Sequence, residues 1–280
     1  MVPGPPGPVL NAAVLGRPVS HSLSPLLHTT GYRVLGLPDW TYGAHDLGAD
    51  DLAAWVRGRD ETWRGLSLTM PLKEAAFAVA DTVSETARLT GSVNTLVRRD
   101  DLGWDAHNTD VHGLVAALGH VDHGGAVTLL GSGATARSAA VALAQLGVTD
   151  VRVAARNLAT STEVVALLDS LGVHAVPGTL DDWAQERRRL VLSTLPPAAG
   201  GAVAATLLAA GTTFEGATLF DVVYAGWPTE LARTAVSAGF DVVSGLEMLV
   251  HQAARQFELF TGSAAPIDAM LAAGREALGR

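Results

Sequence analysis

The strongest constraint on what this chain can fold into is a glycine pattern at one point of a repeating series. Val127–Leu130 is a short apolar run, followed by Gly131-Ser-Gly133-Ala-Thr-Ala136 and an Ala-rich stretch of helical spacing. Val151–Ala154, Val173–Val176, Leu190–Ser193, Leu219–Val223 and Asp241–Val243 repeat the apolar run, with a helix-sized interval after most of them. Strands separated by helices need crossover connections, and the result is a parallel sheet with helices on both faces. At the first crossover, Gly131 would make the tight turn, Gly133 would let the backbone approach a pyrophosphate, and Ala136 would allow close helix packing. The helix N-terminus would then offer its amides to the anion. Alone, such a glycine pair is equally an ordinary tight turn. Heading six alternating strands, it reads as a dinucleotide loop.

The next strand ends in Ala154-Ala155-Arg156-Asn157. An NAD-specific loop usually has a carboxylate here for the ribose hydroxyls. Its absence, and a guanidinium that can pair with a 2′-phosphate, favour NADP. On the residues alone, Arg156 can also be read as a surface residue at a strand end.

The first half is more loosely patterned. Ala12–Leu15, Trp40–His45 and Leu66–Thr69 read as strands, and Pro25–Leu35, Asp51–Arg57 and Leu72–Ala80 as helices. Asp100–Gly103 reads as a hairpin turn between Thr95–Arg98 and Trp104–His107. Helices over Leu246–Phe260 and Ile267–Leu278 close the chain. The fold expected is α/β: an N-terminal α/β domain over 1–105 (1–10 a flexible lead-in), a doubly wound parallel-sheet domain of Rossmann type over 106–245, and helices over 246–280 packing back toward the first domain. A cleft between the domains is the expected ligand site.

Composition removes several function classes. There is no cysteine, hence no disulfide, thiolate metal site or cysteine nucleophile. The formal charge of −9 and the lack of a basic cluster exclude a nucleic-acid footprint; Arg187–Arg189, after Glu186, reads as the solvated face of a helix. No apolar run approaches the roughly 18 residues of a membrane span, and M-V-P-G-P-P-G-P is not a secretory signal. A cytoplasmic protein is expected, monomeric or homodimeric. His21, His45, His107, His112 and His251 have no ligand spacing, so no metal is expected.

Four polar motifs stand out in the first half. Ser22 and Ser24 precede Pro25; hydroxyls so placed can donate to a carboxylate, or cap the helix. Thr69 ends a strand, and Lys73 sits in the first turn of the next helix, where a cation opposes the macrodipole. Asn94 heads a strand. Asp110 opens a helix, an ordinary place for a carboxylate. Individually each has a structural reading; together, a lysine, a carboxylate, an amide and several hydroxyls suit a polyhydroxy acid.

These motifs resemble the shikimate dehydrogenase family from about residue 14 to residue 262: H-S-L-S-P, T-M-P-L-K, S-V-N-T, N-T-D-V-H-G, G-S-G-A-T, S-T-L-P, D-V-V-Y and S-G-L-E-M-L-V-H-Q. The resemblance implies reversible, NADPH-dependent reduction of 3-dehydroshikimate to shikimate in aromatic amino-acid (chorismate) biosynthesis. It implies Lys73 and Asp110 as the catalytic pair, and Ser22, Ser24, Thr69, Asn94, Tyr224 and Gln252 as substrate contacts. Gly131, Ser132, Gly133, Ala134 and Thr135 resemble the cofactor contacts, as do Ala155, Arg156 and Asn157; Val222, Gly245 and Glu85 stand where the family touches or borders the cofactor. The chain departs from the family where Ser67-Leu68-Thr69 replaces N-V-T, His28–Thr29 replaces H-N, Ala155–Arg156–Asn157 replaces N-R-T, and Thr160 replaces a second arginine, which weakens the 2′-phosphate clamp. Three other readings stay open. An NAD-linked quinate/shikimate dehydrogenase is disfavoured by the Ser22/Ser24 pair and the missing carboxylate. An aminoshikimate-pathway enzyme fits the same motifs. A non-catalytic, cofactor-sensing binding protein would not need both Lys73 and Asp110.

Overall fold

The computed structural model describes residues 8–279, so residues 1–7 of the expected lead-in lie outside it. The chain divides into two compact units, one comprising residues up to Thr109 together with Val250 onward, the other Asp110–Leu249.

The first unit carries β1 (Leu10–Gly16), α1 (Ser24–Val34), β2 (Trp40–Asp46), α2 (Ala49–Arg57), β3 (Trp63–Leu68), α3 (Leu72–Ala75), β4 (Thr82–Val83), α4 (Glu85–Thr90), β5 (Thr95–Arg98) and β6 (Trp104–His107). Its sheet has the order β2-β1-β3-β5-β6-β4. β1 is parallel to β2 and to β3, whereas β5 is antiparallel to both of its neighbours. Leu10 pairs with Trp40, so the sheet includes the last residue of the lead-in expected over 1–10. Alternation along β1 sends Ala13 and Leu15 into a core shared with Leu52, Leu72 and Ala76, and Ala12 and Val14 into one shared with Tyr32, Tyr42, Phe257 and Phe260. Burial on both faces is what a parallel strand requires. On β3, a Cβ at Gly65 would come within 2.1 Å of the Phe260 ring, so that ring lies directly on the strand.

Two expected helices are corrected, the first of them beside Lys73. The helix read over Leu72–Ala80 is only α3 followed by a 3₁₀ turn, Ala76–Val79. The Lys73 carbonyl accepts from Val93 N at 2.8 Å, so another segment has captured the acceptor that residue 77 would use. With four α-helical residues there is little macrodipole for Lys73 to oppose, and that argument for its role lapses.

The second unit carries α5 (Asp110–Leu118), β7 (Ala126–Leu130), α6 (Ala134–Gln145), β8 (Asp150–Ala154), α7 (Leu158–Ser170), β9 (His174–Gly178), β10 (Leu190–Ser193), α8 (Gly200–Ala210), β11 (Thr218–Asp221), α9 (Glu230–Ser237) and β12 (Asp241–Ser244). All six strands are parallel, in the order β12-β11-β10-β7-β8-β9. α5, α6 and α7 bury Leu114, Ala139 and Leu168 on one face; Trp183, Val203, Phe214 and Leu231 cover the other. This is the doubly wound order, with its switch point between β7 and β10. Arg187–Arg189 lie in irregular backbone, not on the expected helix. Arg188 is drawn to Asp150 at 2.7 Å, and Arg189 pairs with Asp122. α10 is Leu246–Thr261, most of it in the first unit, where α11 (Ile267–Ala277) packs on α1.

His28 is fully buried in the first unit, stacked on Tyr42 with centroids 4.1 Å apart, and among the described residues neither ring nitrogen has a hydrogen-bond partner. Burial pushes its pKa down to about 3, opposed only partly by the neighbouring Gln256 amide. In the unfolded chain it protonates near 6.5, so the unfolded state binds the extra proton and stability falls as the pH drops below that value. From pH 7 to pH 5 the expected loss from His28 is about 2 kcal/mol. Urea titrations at both pH values should show His28→Phe losing less stability by that amount; equal losses in variant and parent would refute the assignment.

Candidate functional site

Sheet direction decides where the polar motifs of the first unit lie. β1 and β3 run parallel, so the segments that follow them, carrying Ser22/Ser24 and Thr69/Lys73, leave from the same end. β5 runs the other way and β6 reverses again, so Asn94 before β5 and Asn108–Thr109 after β6 emerge at that end too. The carboxyl ends of parallel strands are where open α/β sheets bind ligands.

Gly16 lets two of these segments approach. A Cβ there would lie 2.2 Å from Thr69 Cγ2, while Thr69 N donates to Leu15 O at 2.9 Å and Arg17 N to Met70 O at 2.9 Å. Thr69 falls one residue past β3, and both it and Lys73 are half-buried. Ser24 is buried and its backbone N–H donates to Ser22 Oγ at 3.2 Å, so Ser22 caps the turn before α1.

Asn94 is only 2% exposed and is held by several hydrogen bonds. Its Oδ1 accepts from Thr109 N at 2.7 Å and from Thr95 Oγ1 at 2.8 Å; its Nδ2 faces Thr109 Oγ1 at 3.0 Å and Gln252 Oε1 at 3.4 Å. Asn108 Nδ2 donates to Thr90 Oγ1 at 3.0 Å and Ser92 O at 2.9 Å, which ties the S-V-N-T block to the end of β6. Thus Asn94 and Gln252, far apart in sequence, are brought together. Glu85 is exposed in the first turn of α4 behind the Ser84 cap, where a carboxylate complements the helix end.

Asp110 is buried at the first residue of α5, next in the chain to Thr109, which Asn94 pins. Tyr224 is half-buried in the segment after β11. That segment is held by Asp221, a buried carboxyl missed from the sequence. It accepts from Val223 N at 3.2 Å and Thr229 Oγ1 at 3.0 Å, and burial raises its pKa despite those bonds. A Cβ at Gly245 would fall 2.1 Å from Val222 O, so only glycine lets these two backbone stretches meet.

The glycine loop follows β7. Gly131 has φ +112°, and a Cβ there would sit 2.5 Å from Thr194 Oγ1, so the protein itself requires glycine. Gly133 is different. It caps α6 with φ −85° and ψ −168°, no side chain caps that helix, and a Cβ would meet nothing within 4 Å. Nothing in the protein's own packing asks for glycine at 133, whereas a ligand approaching the amides of Ala134, Thr135 and Ala136 would. Ser132 Oγ lies 2.6 Å from Thr160 Oγ1, joining the loop to α7. Ala136 is buried, as its packing role requires. At the end of β8, Ala155 is buried, Arg156 is exposed, and Asn157 caps α7 by accepting from Ala159 N at 3.0 Å. An uncapped helix start and an exposed guanidinium at a strand end without a carboxylate fit a dinucleotide that bears an additional phosphate.

Sequence reasoning passed over Gln256, Ser67, Tyr42 and Thr95, which form a buried layer behind Asn94. Gln256 lies one helical turn from Gln252, and that i,i+4 spacing was the available signal.

Comparison with known proteins finds relatives along nearly the whole chain. Residues 14–96 match the family model of the shikimate dehydrogenase substrate binding domain, and residues 245–273 that of the shikimate 5'-dehydrogenase C-terminal domain. The chain is 37% identical over 273 residues, 97% of its length and 100% of the relative's, to shikimate dehydrogenase (NADP(+)) of Thermus thermophilus. Among solved structures, Mycobacterium tuberculosis shikimate dehydrogenase superposes with a TM-score of 0.85 at 43% identity, over 95% of this chain and 99% of that one. The Thermus thermophilus enzyme in complex with NADP(H) and shikimate gives 0.79 at 33% identity, over 96% and 99%.

Proposed function

The chain belongs to the shikimate dehydrogenase family, and on that premise we propose that it interconverts shikimate and 3-dehydroshikimate with NADP, in the cytoplasmic synthesis of aromatic amino acids. The observation that supports this most is the convergence, at one sheet end, of Ser22/Ser24, Thr69/Lys73 and the buried, hydrogen-bonded Asn94–Gln252 pair. A donor-rich end of this kind suits an acid with several ring hydroxyls, since buried polar groups left unpaired would cost about 1–3 kcal/mol each.

NADP, when bound, supplies the hydride acceptor at its nicotinamide C4. We assign the Ala134–Ala136 amides to its pyrophosphate and Arg156 to its 2′-phosphate, with Ser132, Thr135, Ala155 and Asn157 beside them and Val222, Gly245 and Glu85 bordering the cofactor. Lys73 takes the hydroxyl proton as the carbinol is oxidised and returns it in the reverse direction. Asp110 accepts a bond from a ring hydroxyl. Ser22 and Ser24 donate to the substrate carboxylate, while Thr69, Asn94, Tyr224 and Gln252 orient the ring, so geometry as well as proton transfer lowers the barrier.

The test is a nicotinamide absorbance assay crossing shikimate and quinate with NADP and NAD. Shikimate with NADP should give a kcat/KM at least about tenfold above each other pairing, a margin of roughly 1.4 kcal/mol. Best turnover with quinate and NAD would overturn the reading. So would tight cofactor binding without any turnover, which would favour the cofactor-sensing alternative.

A further inference from the structure

We propose that the first unit carries a second binding site, a cleft at the end of its sheet remote from Asn94, which takes an organic oxyanion: a carboxylate or phosphate on an apolar body. The site is independent of what the polar end binds.

The cleft has a volume of about 410 Å³, within the ordinary range for a small-molecule site. Strand direction fixes its place. Arg98 ends β5 and pairs with Trp104 at the start of β6, so both lie at the opposite end of the sheet from Asn94 and Asn108. α2 and the turn after it bring Val56, Arg57 and Arg59 to the same cleft, and the 3₁₀ turn that replaces the expected helix brings Val79.

Arg98 is 8% exposed, yet among the described residues no carboxylate stands within ion-pair distance of it. Its Nη2 donates to Arg59 O at 3.0 Å, and its Nε is buried with no acceptor. The guanidinium lies over the Trp104 ring, 4.7 Å from the centroid. A buried cation without a counter-charge is costly. Burial lowers the Arg98 pKa, and Asp60, Asp81 and Glu61 offset that only in part. Asp81 lines the cleft but is already engaged, its Oδ2 accepting from Trp104 N at 2.8 Å. Arg57 and Arg59 likewise have no ion pair among the described residues. Three arginines against one engaged carboxylate leave the cleft short of negative charge, in a chain whose formal charge is −9. A stacked guanidinium with a donor to spare suits a carboxylate or a phosphate.

Leu102 supplies the apolar half. It lines the cleft, is 51% exposed and has φ +67°, a left-handed conformation that hairpin turns ordinarily give to glycine. Gly103 is the next residue, yet the strained position falls to leucine. Turn geometry gains nothing from that choice. With Val56, Val79 and Trp104, the leucine provides an apolar wall for the body of a ligand whose charged head meets Arg98.

The experiment titrates the full chain with phenyl phosphate and with benzoate, following the Trp104 indole N–H resonance, assigned by its loss in Trp104→Phe. At least one anion should shift it saturably with a Kd of about 1 mM or tighter, while benzyl alcohol, the neutral body, does not. An anion that binds at least about threefold tighter than the other identifies the head group as phosphate ester or carboxylic acid. Saturating shikimate should leave that Kd within about twofold, which separates this cleft from the polar end. Arg98→Gln should weaken binding at least about tenfold, the scale of one charge-assisted hydrogen bond. Should Arg98→Gln not fold, Arg57→Glu, at an exposed position, should weaken binding by a similar factor. Leu102→Gly should melt no lower than the parent yet bind at least about threefold more weakly, a split that a merely structural leucine would not give. The proposal is overturned if neither anion gives a saturable shift up to about 10 mM, if benzyl alcohol binds as well, or if Kd is unchanged in both arginine variants.

Discussion

Lys73→Ala lowers kcat for shikimate oxidation by at least about 100-fold, the usual scale for removing a general acid–base group. KM changes far less, because the carboxylate and hydroxyl contacts assigned to Ser22, Ser24, Asn94 and Gln252 remain. The fold survives, since Lys73 is half-buried and the residue it becomes is the best helix former. Its backbone carbonyl, which receives Val93 N–H, is untouched. The kinetic signature of a group used in the transition state is a parallel fall of kcat and kcat/KM, and steady-state rates with melting curves measure both halves of the expectation. A variant with kcat within threefold of the parent would remove Lys73 from the mechanism. Partial recovery with added methylamine would support it.

Gly133→Asp should separate folding from cofactor binding. The backbone at 133 is in extended conformation and the space beside it is open, so the new side chain fits. A carboxylate at the start of α6 accepts from the helix amides and complements the dipole, which is worth a few tenths of a kcal/mol over glycine. Those are the amides assigned to the pyrophosphate. The substitution both occupies the donors and places one anion against another, and losing two charge-assisted bonds at about 1.5–3 kcal/mol each predicts an NADP affinity at least about 100-fold weaker. Calorimetric titration should show that loss alongside a melting temperature equal to or above the parent's, with shikimate contacts undisturbed. Unaltered NADP affinity would show that the loop is only a turn.

The contrast between Gly131 and Gly133 also shows why some of the site was legible in the sequence. The spacing of the loop after an apolar strand carried its meaning, because parallel strands and phosphate loops depend on short-range periodicity. Lys73 was singled out by a macrodipole argument that the structure removes, since the helix following Pro71 breaks after Ala75. Its role rests instead on the convergence of motifs at the sheet end. Arg187–Arg189 were read as a helical face, but long-range pairing with Asp150 and Asp122 outweighs local preference there. The i,i+4 spacing from Gln252 was the one local signal for Gln256, and nothing of the kind marked Ser67 or Thr95 as its partners. Their importance lies in hydrogen bonds spanning 161 and 189 residues, which exist only once β3, β5 and α10 are assembled.

In the proposed reaction a hydride leaves the carbinol carbon of shikimate for the nicotinamide ring while Lys73 takes the proton. The most direct test is to oxidise shikimate carrying deuterium on that carbon and weigh the NADPH formed. The NADPH formed should be heavier by one deuterium, at a rate that collapses in Lys73→Ala. Unlabelled NADPH, or none formed by the purified parent, would contradict it.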